Sequence, residues 1–238
     1  MHKSTIMCSS WLLLSALLLP CAVSAEDAAQ TIRADLENGQ SIYDEGKGDA
    51  TACGMCHGEK ALGVDDMESS RLANIGQAYV VIQLDDYAAD LRNDPGPGAV
   101  MNDIARALTE KDRIDLAAYM DSFSYEMESS DLKVLEEEGI EIGNMDDGKE
   151  IMTDGIKGIS PPCLDCHGFS GRANNIPAIH QQKYIYLVNQ MNRYRDGSRT
   201  NDRVVFKEGI MRRISKGLTD KNIQDISAYL STVTDLTP

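Results

Sequence analysis

Cys53-Gly54-Met55-Cys56-His57-Gly58 recurs 110 positions later as Cys163-Leu164-Asp165-Cys166-His167-Gly168. Two cysteines three positions apart lie on one side of a helical turn, with a histidine directly behind the second. This is the spacing that attachment of haem requires. Both thiols add to the vinyl groups of one porphyrin, and the adjacent imidazole is delivered to the iron as proximal ligand. An isolated C-x-x-C also suits a redox dithiol or half of a zinc site. Here both copies carry the histidine and the following glycine, and no third C-x-x-C or His-x-x-x-His remains to complete a zinc tetrahedron. The chain is therefore expected to hold two covalently attached haem c groups, one on Cys53, Cys56 and His57 and one on Cys163, Cys166 and His167.

Residues 1–25 read as a cleavable export signal: His2 and Lys3, an apolar run over 11–22, then the small residues Val23-Ser24-Ala25. The apolar run falls short of the roughly 20 residues that a bilayer span needs. Cys21 as a lipid anchor would follow a small residue, and Pro20 stands there instead. Nothing after residue 25 is apolar enough for a membrane helix, so a mature chain without a transmembrane segment is expected in the periplasm. Its four cysteines all belong to the two motifs, which leaves covalent haem where an exported chain would otherwise use disulfides.

The repeat extends far beyond the motifs. Gly39, Ile42 and Tyr43 recur as Gly148, Ile151 and Met152; Gln83, Leu84 and Tyr87 recur as Gln190, Met191 and Tyr194; Met101, Leu108, Thr109, Tyr119 and Phe123 recur as Met211, Leu218, Thr219, Tyr229 and Val233. Offsets that drift by a few residues and return are what loops between shared elements produce. The expected organisation is a first domain over 26–125, an acidic linker over 126–142 centred on Glu136-Glu137-Glu138, and a second domain over 143–238. Each domain is all-helical in pattern. A first helix is expected over 27–45, closed by Gly46; a middle helix over 77–87, with its equivalent over 183–195; and a last helix capped by Thr109, with Asp112 three residues on, or by Thr219. Leu116, Tyr119, Met120 and Phe123 share one helical face, as do Ile226, Tyr229, Leu230 and Val233. Neither half shows the alternation of a strand.

The other axial position of each iron decides between carrier and catalyst. Methionine sulfur binds ferrous iron well and raises its potential. Met101 follows His57 by 44 positions and Met211 follows His167 by the same 44, each just before the last helix of its repeat. Met120 and Met191 align instead with Leu230 and Leu84, as packing residues do. His180, the other histidine of the mature chain, has no counterpart in the first repeat and reads as a loop residue.

The order C-x-x-C-H-G, Gln with Tyr four residues on, Met, Leu-Thr followed by an acid, and Ala-Tyr, met twice, with Gln-Leu in the first repeat and Pro-x-x-x-x-Gln in the second, resembles the dihaem cytochrome c4 family over essentially the whole mature chain. The resemblance implies two tandem class I cytochrome c folds about a pseudo-twofold axis. It implies His57 with Met101 on one iron and His167 with Met211 on the other, and electron transfer to a terminal oxidase or reductase. The haem subunit of a sulfur-compound dehydrogenase is the alternative that such a double fold allows. In these folds a proline carbonyl orients the proximal histidine. Pro177 stands in that place in the second repeat, whereas Leu72 or a neighbour stands there in the first.

Charge is unevenly divided. Residues 26–140 hold 26 acids and 9 bases, and residues 141–238 hold 12 acids and 13 bases. So negative a chain is no partner for nucleic acid. Arg193, Arg195, Arg199, Arg203, Lys207, Arg212, Arg213 and Lys216 flank Met211. They suggest that this end meets an acidic redox partner, with electrons entering and leaving through different ends; adaptation of an acidic surface to salty surroundings is the alternative.

Overall fold

The computed structural model describes residues 33–123, 128–168, 176–202, 204–205 and 208–234; the export signal expected over 1–25 lies outside them. In the first half, α1 (Leu36–Glu45), α2 (Gly54–His57), α3 (Gln77–Ala88), α4 (Val100–Ala107) and α5 (Glu110–Asp121) follow one another. After α6 (Leu132–Glu137), the second half repeats the order as α7 (Met145–Asp154), α8 (Leu164–His167), α9 (Tyr184–Asp196), α10 (Ile210–Ser215) and α11 (Asp220–Thr232). Among the described residues, besides three isolated bridges, the departure from helix and loop is a two-residue antiparallel ladder, in which Val204 pairs with Gly209 and Val205 with Glu208. It is too short to leave any alternation in the sequence.

The first helix starts later than expected. Asp35 accepts from the amides of Glu37 and Asn38, so the chain turns into α1 at Leu36; residues 33–35 are not helical, and 27–32 lie outside the described residues. The last helices begin at the expected caps. Thr109 with Asp112 and Thr219 with Asn222 each form a reciprocal capping box.

The first and last helices of each half cross in contact, α1 on α5 and α7 on α11. Glycine makes this possible: a Cβ on Gly39 would strike the Asp115 carbonyl, and one on Gly148 the Asp225 carbonyl. Each crossing is also bolted by a carboxylate. Asp115 accepts from the Asp35 amide at 2.8 Å, and its counterpart Asp225 accepts from the Asn144 amide at 2.7 Å. Around these crossings lie two apolar clusters, one including Ile42, Tyr43, Leu84, Leu116 and Met120 and the other Ile151, Met152, Met191, Ile226 and Leu230. Met120 and Met191 are buried, as are their counterparts Leu230 and Leu84, which fits exchangeable packing residues.

The segment over 126–142 is not simply solvated. Glu136, Glu137 and Glu138 are exposed, but Leu135 on the same helical stretch is buried with Tyr184 and Ala228. Leu132 and Ile142 pack against the same cluster, and so short a run of apolar residues among acids carries too little periodicity to announce this.

The two halves meet through polar side chains that are each other's repeat equivalents. Arg92 donates to Gln83 at 2.8 Å and across the interface to Gln190 at 3.1 Å and the Tyr186 hydroxyl at 3.2 Å. Arg199 donates to Gln190 at 2.6 Å and across to Gln83 at 2.9 Å and the Tyr79 hydroxyl at 3.0 Å. Each guanidinium also lies over a tyrosine ring of its own half, Arg92 over Tyr87 and Arg199 over Tyr194. A contact from one half to the other, mirrored by its equivalent in the reverse direction, is the mark of an isologous interface. The halves are thus related by a pseudo-twofold axis passing between the glutamines.

Candidate haem-binding site

Each C-x-x-C-H segment forms one helical turn, α2 or α8, in which the histidine amide bonds back to the first cysteine carbonyl at 2.9 Å. Cys53 and Cys163 pack against the apolar clusters of their own halves. Burial pushes both thiols up to about 11, so they are uncharged at neutral pH. All four described cysteines are free of disulfides. No group of three His, Cys, Asp or Glu side chains converges to hold an ion by itself among the described residues.

Both histidines are held by a backbone carbonyl. His57 Nδ1 lies 2.8 Å from the Ser70 carbonyl, and His167 Nδ1 lies 3.1 Å from the Pro177 carbonyl. A carbonyl only accepts, so Nδ1 carries the proton and Nε2 keeps its lone pair. Burial holds both imidazoles below their ordinary pKa, hence neutral. A neutral imidazole with Nδ1–H on a carbonyl is the arrangement that fixes a metal-bound histidine and raises its basicity. The residues present therefore fit haem: two free thiols and one oriented imidazole at an apolar core, twice over.

Pro177 does what the sequence suggested. In the first half the carbonyl comes from Ser70, two residues before Leu72. Any residue carries a carbonyl, so side-chain pattern alone does not mark it. Met101 and Met211 occupy the same place, the second residue of α4 and of α10, and both are half-buried. Met101 packs against the first apolar cluster together with Cys53. His180 lies in the turn before α9, where its backbone carbonyl is engaged by Arg71 at 2.8 Å.

The basic residues around Met211 separate on folding. Arg199 is buried in the interface, Arg193 faces Asp94 and Glu68, Arg195 binds Asp220, and Arg212 binds Asp202. Arg203 and Lys207 lie outside the described residues, while Arg213 and Lys216 are exposed. A cleft between the turn leading into Cys163 and helix α10 is lined by Asp154, Lys157, Ile159, Pro161, Arg213 and Gly217. At the offset of 110 that relates the halves, Ile159 and Arg213 answer to Asp49 and Asp103. Lys157 keeps its charge in Lys47, so the first half differs on this face by two added acids and a lost arginine. Among the described residues no helix is long and apolar enough to cross a membrane.

A sequence model described as cytochrome c matches residues 36–124 and again 145–234. A protein named thiosulfate dehydrogenase electron acceptor, from Stutzerimonas stutzeri, is 29% identical, the alignment covering 85% of this chain and 89% of that protein. Cytochrome c4 of Azotobacter vinelandii is 30% identical, over 78% of this chain and 86% of that one. Reduced recombinant cytochrome c4 from Pseudomonas stutzeri superposes with a TM-score of 0.63 at 25% identity, covering 84% of this chain and 98% of that one. Thiosulfate dehydrogenase TsdBA from Marichromatium purpuratum shares the fold at a TM-score of 0.70 and 22% identity, and this chain spans 40% of its length. Matched in both halves, and with both attachment turns in place, the chain belongs to the cytochrome c family as a tandem, dihaem electron-transfer protein of the cytochrome c4 kind.

Proposed function

We propose that the protein carries electrons in the periplasm from a redox donor to a terminal oxidase or reductase, with His57 and Met101 as axial ligands of one haem and His167 and Met211 of the other. Cys53, Cys56, Cys163 and Cys166 form the thioether links, and the working domains span 26–125 and 143–238. The observation that carries this reading is the duplication of one arrangement. In each half an imidazole is held by Nδ1 on a carbonyl, and a methionine 44 residues later opens the corresponding helix. Haem supplies one-electron chemistry when bound; the chain fixes the imidazole, excludes water with its apolar cluster and offers a soft thioether. A second reading, that the electrons come from a thiosulfate dehydrogenase, is favoured by the name of the Stutzerimonas relative, which matches along most of its length.

Met101→Ala and Met211→Ala test the ligand assignment. The reduced wild type is expected to resist carbon monoxide, and the oxidised protein to show a methionine-to-ferric-iron charge-transfer band. Each variant loses about half of that band and binds carbon monoxide at one haem. A full band in either variant refutes the assignment. Rapid reduction by a thiosulfate dehydrogenase supplied with thiosulfate separates the second reading from the first.

A further inference from the structure

Each peptide unit whose carbonyl orients a proximal histidine is pinned, at its other end, by the opposite half of the molecule. The Ser70–Arg71 peptide accepts from His57 through its oxygen and donates through the Arg71 amide to Gln182 Oε1 at 2.6 Å. The Pro177–Ala178 peptide accepts from His167 and donates through the Ala178 amide to the Ile75 carbonyl at 2.9 Å. Gln182 closes the first contact into a ring by donating from Nε2 to the Arg71 carbonyl at 3.0 Å. The fully buried Arg71 side chain reinforces the second. From the first half it donates to the carbonyls of Ala178 at 2.7 Å, His180 at 2.8 Å and Gln181 at 3.2 Å, and it also bonds the Ala73 carbonyl of its own half.

We infer that the two halves cross-hold each other's proximal histidines, with Gln182 as positioning residue for His57 and Arg71 for His167. The inference rests on the reading above that these imidazoles ligate iron. A peptide whose N–H is engaged presents a more polarised carbonyl, because hydrogen bonds in a chain strengthen one another. A stronger acceptor draws the Nδ1 proton and makes the imidazole a better donor to its metal, which favours the ferric state. Loss of Gln182 removes the N–H partner of the peptide that holds His57, and loss of the Arg71 fork frees the segment that carries the Pro177–Ala178 peptide, so each weakens the histidine bond in the other half and raises the reduction potential of that other haem.

The test uses full-length protein carrying both haems and reads the Nδ1–H nitrogen-15 resonance of each proximal histidine in the reduced state, together with both midpoint potentials. Gln182→Met keeps the volume and removes the acceptor. It is expected to move the His57 resonance and raise the first haem's potential while leaving His167 in place. Arg71→Lys keeps the charge but loses the fork, and is expected to move His167. Shifts confined to the half that carries the substitution, or equal in both halves, or absent, overturn the inference. Should a variant fail to fold, amide exchange in the wild type decides the matter. Arg71 and Ala178 amides protected to the level of α5 and α11 support the cross-hold, and exchange at loop rates overturns it. Failure of the ligand reading is separate, because it shows in the wild-type spectra before any variant is made.

Discussion

Asp94→Asn isolates the charge that distinguishes the two sides of the interface. Asp94 and Asn201 are repeat equivalents, and Asn201 accepts from Arg199 Nε at 3.0 Å where Asp94 accepts from Arg92 at 2.6 and 3.0 Å. An asparagine therefore fits this place by shape, and the substitution removes a charge more than a contact. Two buried guanidinium groups remain, each within 2.9 Å of the same Gln83 oxygen. Two like charges about 6 Å apart repel by ~3 kcal/mol at an effective dielectric constant of about 20, and the attraction lost between Asp94 and Arg92 is of similar size. Because asparagine is easier to bury than a carboxylate, part of this is recovered. Breaking a buried pair from one side costs about 3–5 kcal/mol, which for a chain of this size lowers the melting temperature by roughly 10 °C. The measurement is urea unfolding and calorimetry of the dihaem protein at pH 7. The deficit also has a pH signature. Burial raises the Asp94 carboxyl, but the Arg92 charge and its hydrogen bonds outweigh burial and hold the group below its ordinary value. Its contribution is present above the ordinary carboxylate range of about 4 and is lost as pH falls through the depressed folded value. The gap between variant and wild type should therefore close in acid. A deficit under about 1 kcal/mol at pH 7, the worth of an exposed pair, would refute the electrostatic account of the interface.

Gly148→Ala places a methyl group on the Asp225 carbonyl at the crossing of α7 and α11. The helices must part, and a loss of about 3 kcal/mol or more, in the range of overpacking, is expected in the same unfolding assay. Lys157→Glu with Arg213→Glu reverses the basic cleft. Oxidation by the anion hexacyanoferrate(III) should slow about tenfold at low ionic strength, and the difference should vanish near 1 M salt, where the Debye length is ~3 Å. Lys133→Glu, a change of the same sign at an exposed position of α6, should leave the rate nearly unchanged.

What the sequence made legible is local or repeated. The attachment turns, the Thr109 and Thr219 caps and the matched core positions depend on neighbours within a few residues or on a register that can be counted. The fate of the arginines was not legible. Arg199, Arg212 and Arg213 look alike in a list, yet folding buries the first, pairs the second with Asp202 and exposes the third. Tyr79 with Tyr186, Gln83 with Gln190 and Arg92 with Arg199 do share one offset of 107. Polar residues preserved in register through a duplication were the available signal for the interface. The Ser70 carbonyl left no such trace, because a backbone acceptor has no residue type.

An interface of arginines, glutamines and tyrosines is a poor way to gain stability, since apolar side chains of equal volume would do as well or better. Its advantage is direction. Apolar faces tolerate sliding, but a guanidinium held by Gln83, Gln190 and a tyrosine hydroxyl fixes the approach of the halves in three dimensions. The arginine, glutamine and tyrosine contacts are symmetric, whereas Asp94, which accepts from Tyr87, stands against Asn201, which donates to Gln83 and Asp86. Two sites with the same C-x-x-C-H attachment pattern and histidines each held on a carbonyl thus lie in different fields across one axis, with Asp49 and Asp103 on the first half where the second has Ile159 and Arg213. An electron crossing the molecule meets a built-in difference between its halves, and that difference lies in residues that touch neither attachment motif.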